Sequence, residues 1–294
     1  MDKSNYKVLF LYPNERHMSL VPPSIALLSA IAKRENFSVD LFDTSLYPKE
    51  GLDSDEIREQ NLSVHLVPDT DKVQLKQTDK FKDFQEKVAT FKPDMIAVTA
   101  TDSMVLLMLE LLRSVKQFDF LTVLGGPFAS CAPDVAINYP EIDVICVQEG
   151  ENAFIEMCRR LKDKKDISDI PNLWIKKQDG EIIKNPLGEL VDVGTLPPLD
   201  FSIFEEDRLK LMMRGKVYRM LPVETHRGCP YKCTFCGSPT DVEVYKDAGE
   251  KQPFYRMFPL NKIKEDLNHY VEKYNPEYIF FTADTFLSCS NKLL

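Results

Sequence analysis

Three of the seven cysteines, Cys229, Cys233 and Cys236, fall within eight residues in the spacing C-x3-C-x2-C. On a loop, this spacing can wrap three thiolates around one corner of a small inorganic cluster. Structural zinc usually takes four ligands, as two cysteine pairs or as one pair with histidines. Here the nearest histidine is His226, three residues before Cys229, and no second pair follows. Three thiolates suit a four-iron cluster that leaves one iron open to a small molecule. The alternatives are an incidental zinc site or three buried structural cysteines. Gly228 and Pro230 bend the chain on entry, and Gly237 and Pro239 are expected to keep the loop from becoming helix. Phe235, just before the last cysteine, is placed to cover one face of a bound ligand. Cys131, Cys146, Cys158 and Cys289 are scattered, and Cys289 reads as a free thiol.

The cysteines follow a predicted strand at 220–226 and precede a predicted helix at 260–274 and a strand at 278–282. Upstream, short apolar runs at 7–13, 38–44, 95–101, 120–124 and 143–147 read as strands. Helical patterns at 22–34, 80–91, 104–118 and 152–161 alternate with them. The 80–91 helix sets Phe81, Phe84, Val88 and Phe91 on one face, a core stripe. Such alternation implies a parallel sheet with helices on both faces. Residues 45–79 interrupt it as a polar, acidic excursion. Between 166 and 200, a hairpin signal at Gln178-Asp179-Gly180 and the stretch Leu196-Pro197-Pro198-Leu199 read as a connector. Trp174, on the hairpin, is read as packing. The expected organisation is an α/β domain over 1–165, a connector over 166–215 and a second unit over 216–294.

The chain has 294 residues, with 37 Lys+Arg against 46 Asp+Glu, a formal charge of −9. Its 44% hydrophobic and 28% charged residues are a globular balance. The acidic balance argues against nucleic acid as a partner. No apolar run approaches the ~18 residues of a membrane span. The N-terminus has no signal-peptide apolar region, so a cytoplasmic location is expected.

The run Arg227-Gly228-Cys229-Pro230 through Cys236-Gly237, at the end of a strand in a βα pattern, resembles the radical SAM (S-adenosylmethionine) enzyme superfamily. The resemblance implies that Cys229, Cys233 and Cys236 hold a [4Fe–4S] cluster whose open iron chelates SAM. Electron transfer would then cleave SAM to a 5′-deoxyadenosyl radical. By position, Phe235 matches the family's aromatic beside the adenine. Asp284, in Ala283-Asp284-Thr285, stands where relatives bind the SAM amino group, although the common Gly-Gly-Glu is absent; a strand-end cap is the other reading.

The N-terminal half resembles the cobalamin-binding domain fused to many radical SAM enzymes. The features are Tyr12-Pro13-Asn14 after the first strand, Thr99 and Thr101 after the third, Gly125-Gly126-Pro127 after the fourth, and Glu149-Gly150-Glu151 after the fifth. In an open parallel sheet these strand ends face the ligand. The expected cofactor contacts are therefore Thr99, Thr101, Gly125, Gly126, Glu149 and Gly150. Replacing Gly126 with leucine is expected to weaken cobalamin binding and leave the fold intact. Two departures stand out. The family's Gly-Glu-Gly-Glu appears as Gln148-Glu149-Gly150-Glu151, and no intact Asp-x-His-x-x-Gly surrounds His17. An exposed loop residue is the leading reading for His17, and a cobalt ligand the other.

A full (β/α)8 barrel takes ~200 residues or more. The stretch after Arg219 matches only its opening, so the resemblance covers a Rossmann-like doubly wound cobalamin-binding domain and the start of a radical SAM barrel. An incomplete barrel is expected to leave residues after Pro198 loosely held. The implied activity is cobalamin-dependent radical chemistry, with methyl transfer to an unactivated carbon as the leading subtype. Oxidative cyclisation or other radical chemistry is the alternative, as is a cobalamin- or nucleotide-binding module with an inactive remnant of the radical SAM domain. The implied partners are a small-molecule substrate and an electron donor such as flavodoxin or ferredoxin.

Overall fold

The computed structural model describes residues 6–15, 19–48, 57, 60–61, 73–213 and 216–288. His17, Cys289 and most of the 45–79 excursion lie outside the described residues. Five strands, β1 (Lys7–Tyr12), β2 (Ser38–Asp43), β3 (Met95–Thr99), β4 (Leu121–Gly125) and β5 (Val144–Cys146), pair in parallel in the order 2-1-3-4-5. Helices α1 (Pro23–Arg34), α2 (Lys80–Phe91), α3 (Val105–Ser114) and α6 (Glu151–Lys162) supply the crossovers, with short α4 (Pro127–Cys131) and α5 (Pro133–Ala136) after β4.

Both faces of the sheet are buried, which is why its strands read as continuous apolar runs rather than alternating ones. Along β1, Val8 and Phe10 join the core beneath α1 and α6, while Leu9 and Leu11 join the core beneath α2 and α3. The aromatic stripe of α2 divides: Phe84 and Val88 are buried, whereas Phe81 and Phe91 pack at the core margin. The predicted hairpin forms as β6 (Leu173–Lys176) and β7 (Ile182–Lys184), and it extends the sheet antiparallel from β5. Trp174 packs at the margin of the second core, as expected.

The second unit opens with a hairpin of β8 (Lys210–Met213) and β9 (Lys216–Val223). Residues read as connector thus enter a sheet. The predicted strand at 220–226 splits into β9 and β10 (His226–Arg227), and β10 pairs with β11 (Arg256–Met257). Helix α7 (Ser238–Asp247) starts at the end of the cysteine loop. Pro239, expected to block helix, occupies its first turn, where a missing N–H costs nothing. Helix α8 (Leu260–Tyr274) then returns the chain to β12 (Tyr278–Phe281), parallel to β9. This β9–α8–β12 unit is one βαβ step.

The two units share a core, contrary to the expectation of a loose segment after Pro198. Leu221, Val223, Tyr270 and Tyr274 belong to the same buried cluster as Val8 and Phe10. Phe201 stands edge-on to both tyrosine rings, at 5.4 and 5.5 Å between centroids. The Tyr270 hydroxyl accepts from the Leu199 N–H at 2.8 Å, and the Tyr274 hydroxyl from the Phe201 N–H at 3.2 Å. A buried ion pair adds a second tie: Arg208 Nε lies 2.7 Å from Asp43 Oδ2, at the end of β2.

Candidate functional site

A cavity of about 500 Å³ opens beyond the carboxyl ends of β3, β4 and β5, between them and the second unit. Thr99, Gly125, Gly126, Glu149 and Gly150 all line it, five of the six contacts expected there. Thr101 does not. Two residues past β3 the chain has turned into a short 3₁₀ segment, and the Thr101 hydroxyl lies 3.0 Å from that of Ser103. Much of the remaining wall is apolar, with Leu27 and Leu28 from α1 and Phe154 and Met157 from α6.

The floor explains its glycines. Gly126 has φ +83° and ψ −170°, a region open essentially only to glycine. A Cβ there would collide with the Thr99 hydroxyl and stand 3.3 Å from the Ala100 nitrogen. The expectation that Gly126→Leu spares the fold is therefore corrected: this glycine answers first to the backbone. Gly125 differs, since a Cβ there would find only the Val98 carbonyl, at 3.9 Å. At these two positions the floor is bare backbone, as a macrocycle lying close to the strand ends requires, so the cavity fits a corrinoid.

The rim toward the second unit is charged. Arg227 is held by Glu151 at 2.6 Å, Glu224 at 3.2 Å and Glu149 at 3.4 Å. Arg256 donates to both carboxylate oxygens of Glu149 and, at 2.6 Å, to the Val191 carbonyl. Burial alone would raise the Glu149 carboxyl. The Arg256 hydrogen bond and the charges of Arg227 and Arg256 outweigh it and hold the group below the usual carboxylate range. For Glu224 the balance reverses: burial, helped by the nearby Glu151 and Glu149, raises it despite Arg227. Burial disfavours the charged Arg227, but Glu151, Glu224 and Glu149 prevail and push its pKa up. Glu149 lines the cavity, yet its carboxylate is committed to these arginines.

The cysteine loop lies between β10 and α7, with Gly228 in the left-handed region at φ +75°. Cys229 is half-buried, Cys233 and Cys236 are exposed, and all three are free thiols. The Cys236 N–H donates to the Cys233 carbonyl at 3.2 Å. Cys229 Sγ lies 3.1 Å from the Thr285 hydroxyl, which brings the segment after β12 beside the loop. Asp284 is on that segment and is exposed. It also acts electrostatically on His226, although burial is the stronger influence and holds that imidazole below its ordinary range. Phe235 is 91% exposed and covers nothing. Among the described residues, no group of three or more His, Cys, Asp or Glu stands close enough to hold a metal ion. The donor set nevertheless fits an iron–sulfur cluster, because three free thiols share one loop without regular structure.

Sequence reasoning missed the charged rim. Arg256 carries no local signal, because its partner Glu149 is 107 residues away. Arg227 adjoins the cysteine motif, and its partners Glu149 and Glu151 lie on the other unit, where no local pattern announces them.

Residues 15–157 match the B12 binding domain family. An uncharacterised methyltransferase of Pyrococcus horikoshii is 26% identical over 210 residues, covering 70% of this chain and 43% of the relative. The anaerobic magnesium-protoporphyrin IX monomethyl ester cyclase of Rubrivivax gelatinosus is 25% identical over 207 residues, covering 68% and 35%. The cobalamin-dependent radical SAM methyltransferase TokK of Streptomyces tokunonensis is 31% identical over 138 residues, covering 45% and 20%. The chain thus spans less than half the length of each of these relatives. Among solved structures, the cobalamin-dependent S-adenosylmethionine radical enzyme OxsB, with aqua-cobalamin and S-adenosylmethionine bound, superposes with a TM-score of 0.64 at 18% identity, over 97% of this chain and 34% of that one. That likeness establishes a shared fold through both units. Among the described residues no helix is long and apolar enough to cross a membrane. With residues 15–157 matching a B12 binding domain and a fold shared through both units with a cobalamin-dependent radical enzyme, the chain resembles the cobalamin-binding-domain radical SAM family.

Proposed function

We propose that this chain is the cofactor-binding portion of a cobalamin-dependent radical SAM enzyme, most consistent with a methyltransferase. One observation carries the reading: the strand-end cavity and the three-cysteine loop lie on adjoining elements that share the charged rim. Thr99, Gly125, Gly126 and Gly150 would seat cobalamin, and Cys229, Cys233 and Cys236 would hold a [4Fe–4S] cluster with SAM on its open iron. When bound, these groups supply one-electron cleavage of SAM and a transferable methyl group. The chain's own residues have simpler tasks. The glycine floor lets a macrocycle lie close to the backbone, and the apolar walls exclude water. Asp284, next to the Thr285 that touches Cys229, would accept the SAM amino group, and Phe235 would cover the adenine once the loop folds over it. The substrate would be a small molecule, and an external flavodoxin or ferredoxin would deliver the electron. Relatives named as methyltransferases support methyl transfer; the relative named as a cyclase supports oxidative cyclisation as a second reading.

Anaerobic reconstitution with iron and sulfide, with hydroxocobalamin added separately, tests the reading. Cys229→Ala, Cys233→Ala and Cys236→Ala should each abolish iron loading, while Cys131→Ala and Cys158→Ala retain it. Iron content indifferent to the triad, or no shift of corrinoid absorbance on titration, would overturn it.

A further inference from the structure

The turn between β5 and α6 is used twice. Gln148, Glu149 and Gly150 form part of the cavity wall. The same turn grips every element that flanks the cysteine loop. Gln148 Nε2 donates to Asp241 Oδ1 of α7 at 3.0 Å. The Glu149 N–H donates to the Tyr245 hydroxyl of α7 at 3.2 Å. The Glu149 carboxylate accepts from Arg256 of β11, and Glu151 pairs with Arg227 of β10 at 2.6 Å. Strand β10 ends two residues before Cys229, and α7 begins two residues after Cys236. Both ends of the loop are therefore fastened to one turn of the other unit.

Gln148 supplies an independent indication. Its φ is +67°, a left-handed conformation normally left to glycine. A residue held at such a backbone angle persists where its surroundings over-determine it. Here the strained residue carries the amide that reaches α7, together with a backbone N–H bonded to Ser130 Oγ at 2.9 Å.

We infer that the 148–151 turn is a positioning element coupling the cavity to the cysteine loop. A ligand seated against the turn and the arrangement of Cys229, Cys233 and Cys236 then bias each other, and such coupling is reciprocal. The inference rests on the reading that the cavity takes a corrinoid.

The experiment uses the full chain, hydroxocobalamin as ligand, and iodoacetamide alkylation followed at each cysteine by mass spectrometry. Cys131 lines the cavity and is exposed, so direct occlusion protects it. Cys233 and Cys236 are exposed and lie outside the cavity wall. On corrinoid binding, Cys131 should be protected, and the rates at Cys233 and Cys236 should shift about fivefold, the lower end of coupling between distinct sites. Two variants then weaken the link to α7 and leave the ion pairs to Arg227 and Arg256 in place. Gln148→Gly suits the backbone angle and loses only the amide; Tyr245→Phe keeps the ring and loses only the acceptor. In each, protection of Cys131 should persist while the shift at Cys233 and Cys236 shrinks by half or more. A merely structural role would leave that ligand-induced shift unaltered. Protection at Cys131 without any shift at Cys233 and Cys236, or a shift that survives both substitutions, overturns the inference. Absence of both Cys131 protection and a corrinoid absorbance change overturns the corrinoid reading, and this inference with it.

Discussion

Gly126→Ala should be costly before any ligand is present. The backbone angles at Gly126 place any side chain in a region that costs ~1–3 kcal/mol to occupy. The added Cβ then meets the Thr99 hydroxyl and comes to 3.3 Å from the Ala100 nitrogen. The hydroxyl can rotate away, but Ala100 cannot move freely, because its carbonyl accepts from the Phe128 N–H at 3.1 Å and so starts α4. Overpacking of this kind costs ~1–3 kcal/mol. The sum is about 2–6 kcal/mol, or a fall in melting temperature of roughly 3–10 °C for a chain of this size. Thermal and urea unfolding of the ligand-free protein, followed by circular dichroism, measures it. Thr99→Ala in the same background removes the hydroxyl overlap and leaves the backbone strain, so it should recover only part of the loss. A Gly126→Ala protein as stable as wild type would refute the reasoning. Full recovery in the double variant would show that the backbone angle carries none of the cost.

Gly125→Val should behave in the opposite way: stability held within about 1 kcal/mol, since valine suits a strand and a Cβ meets only the Val98 carbonyl, but hydroxocobalamin affinity reduced at least tenfold by titration. Arg208→Met should destabilise by about 3–5 kcal/mol in urea unfolding, because it strands the buried Asp43 carboxylate, and adding Asp43→Asn should recover much of that. Glu224 and Glu149 should show opposite pH signatures in melting curves. The Glu224 carboxyl is raised in the fold, so its favourable contribution is complete only below the unfolded value and is lost as pH rises through the folded one. Glu224→Gln should therefore raise the melting temperature at neutral pH, the gain fading on acidification. The Glu149 carboxyl is lowered, so its contribution is present above the ordinary carboxylate range and lost as pH falls through the folded value. Glu149→Gln should lower the melting temperature at neutral pH, and that deficit should vanish in acid.

What could be read from the residues was what local pattern encodes. The doubly wound sheet is legible because parallel strands buried on both faces are short apolar runs, and α8 is legible because its amphipathic period ends at Asn275, which takes the left-handed capping angle. Strands β10 and β11 are not legible, being two residues each and joined across 30 positions by a pairing no period announces. Helix α7 hid behind Pro239, because proline inside a helix breaks it and proline at its start begins it, and sequence alone did not say which applied. At the site, the strand-end residue types were informative and their exact reach was not, so Thr99 lines the cavity while Thr101, two residues on, is turned away.

The glutamine in Gln148-Glu149-Gly150-Glu151 stands where a glycine was expected, and a sequence reading counts that as a weakening of the motif. The structure gives the substitution a partner. The left-handed angle that glycine would adopt without strain is kept, and the amide that glycine lacks reaches Asp241 across the cavity rim. The next residues extend the same grip through Tyr245, Arg256 and Arg227. A departure that introduces strain and then spends its side chain on the opposite unit is better explained as a change in how the units are joined than as decay of the site. On that argument Gln148→Gly, which restores the common residue, should relieve the strain while loosening the hold on the cysteine loop; stability and coupling should move in opposite directions.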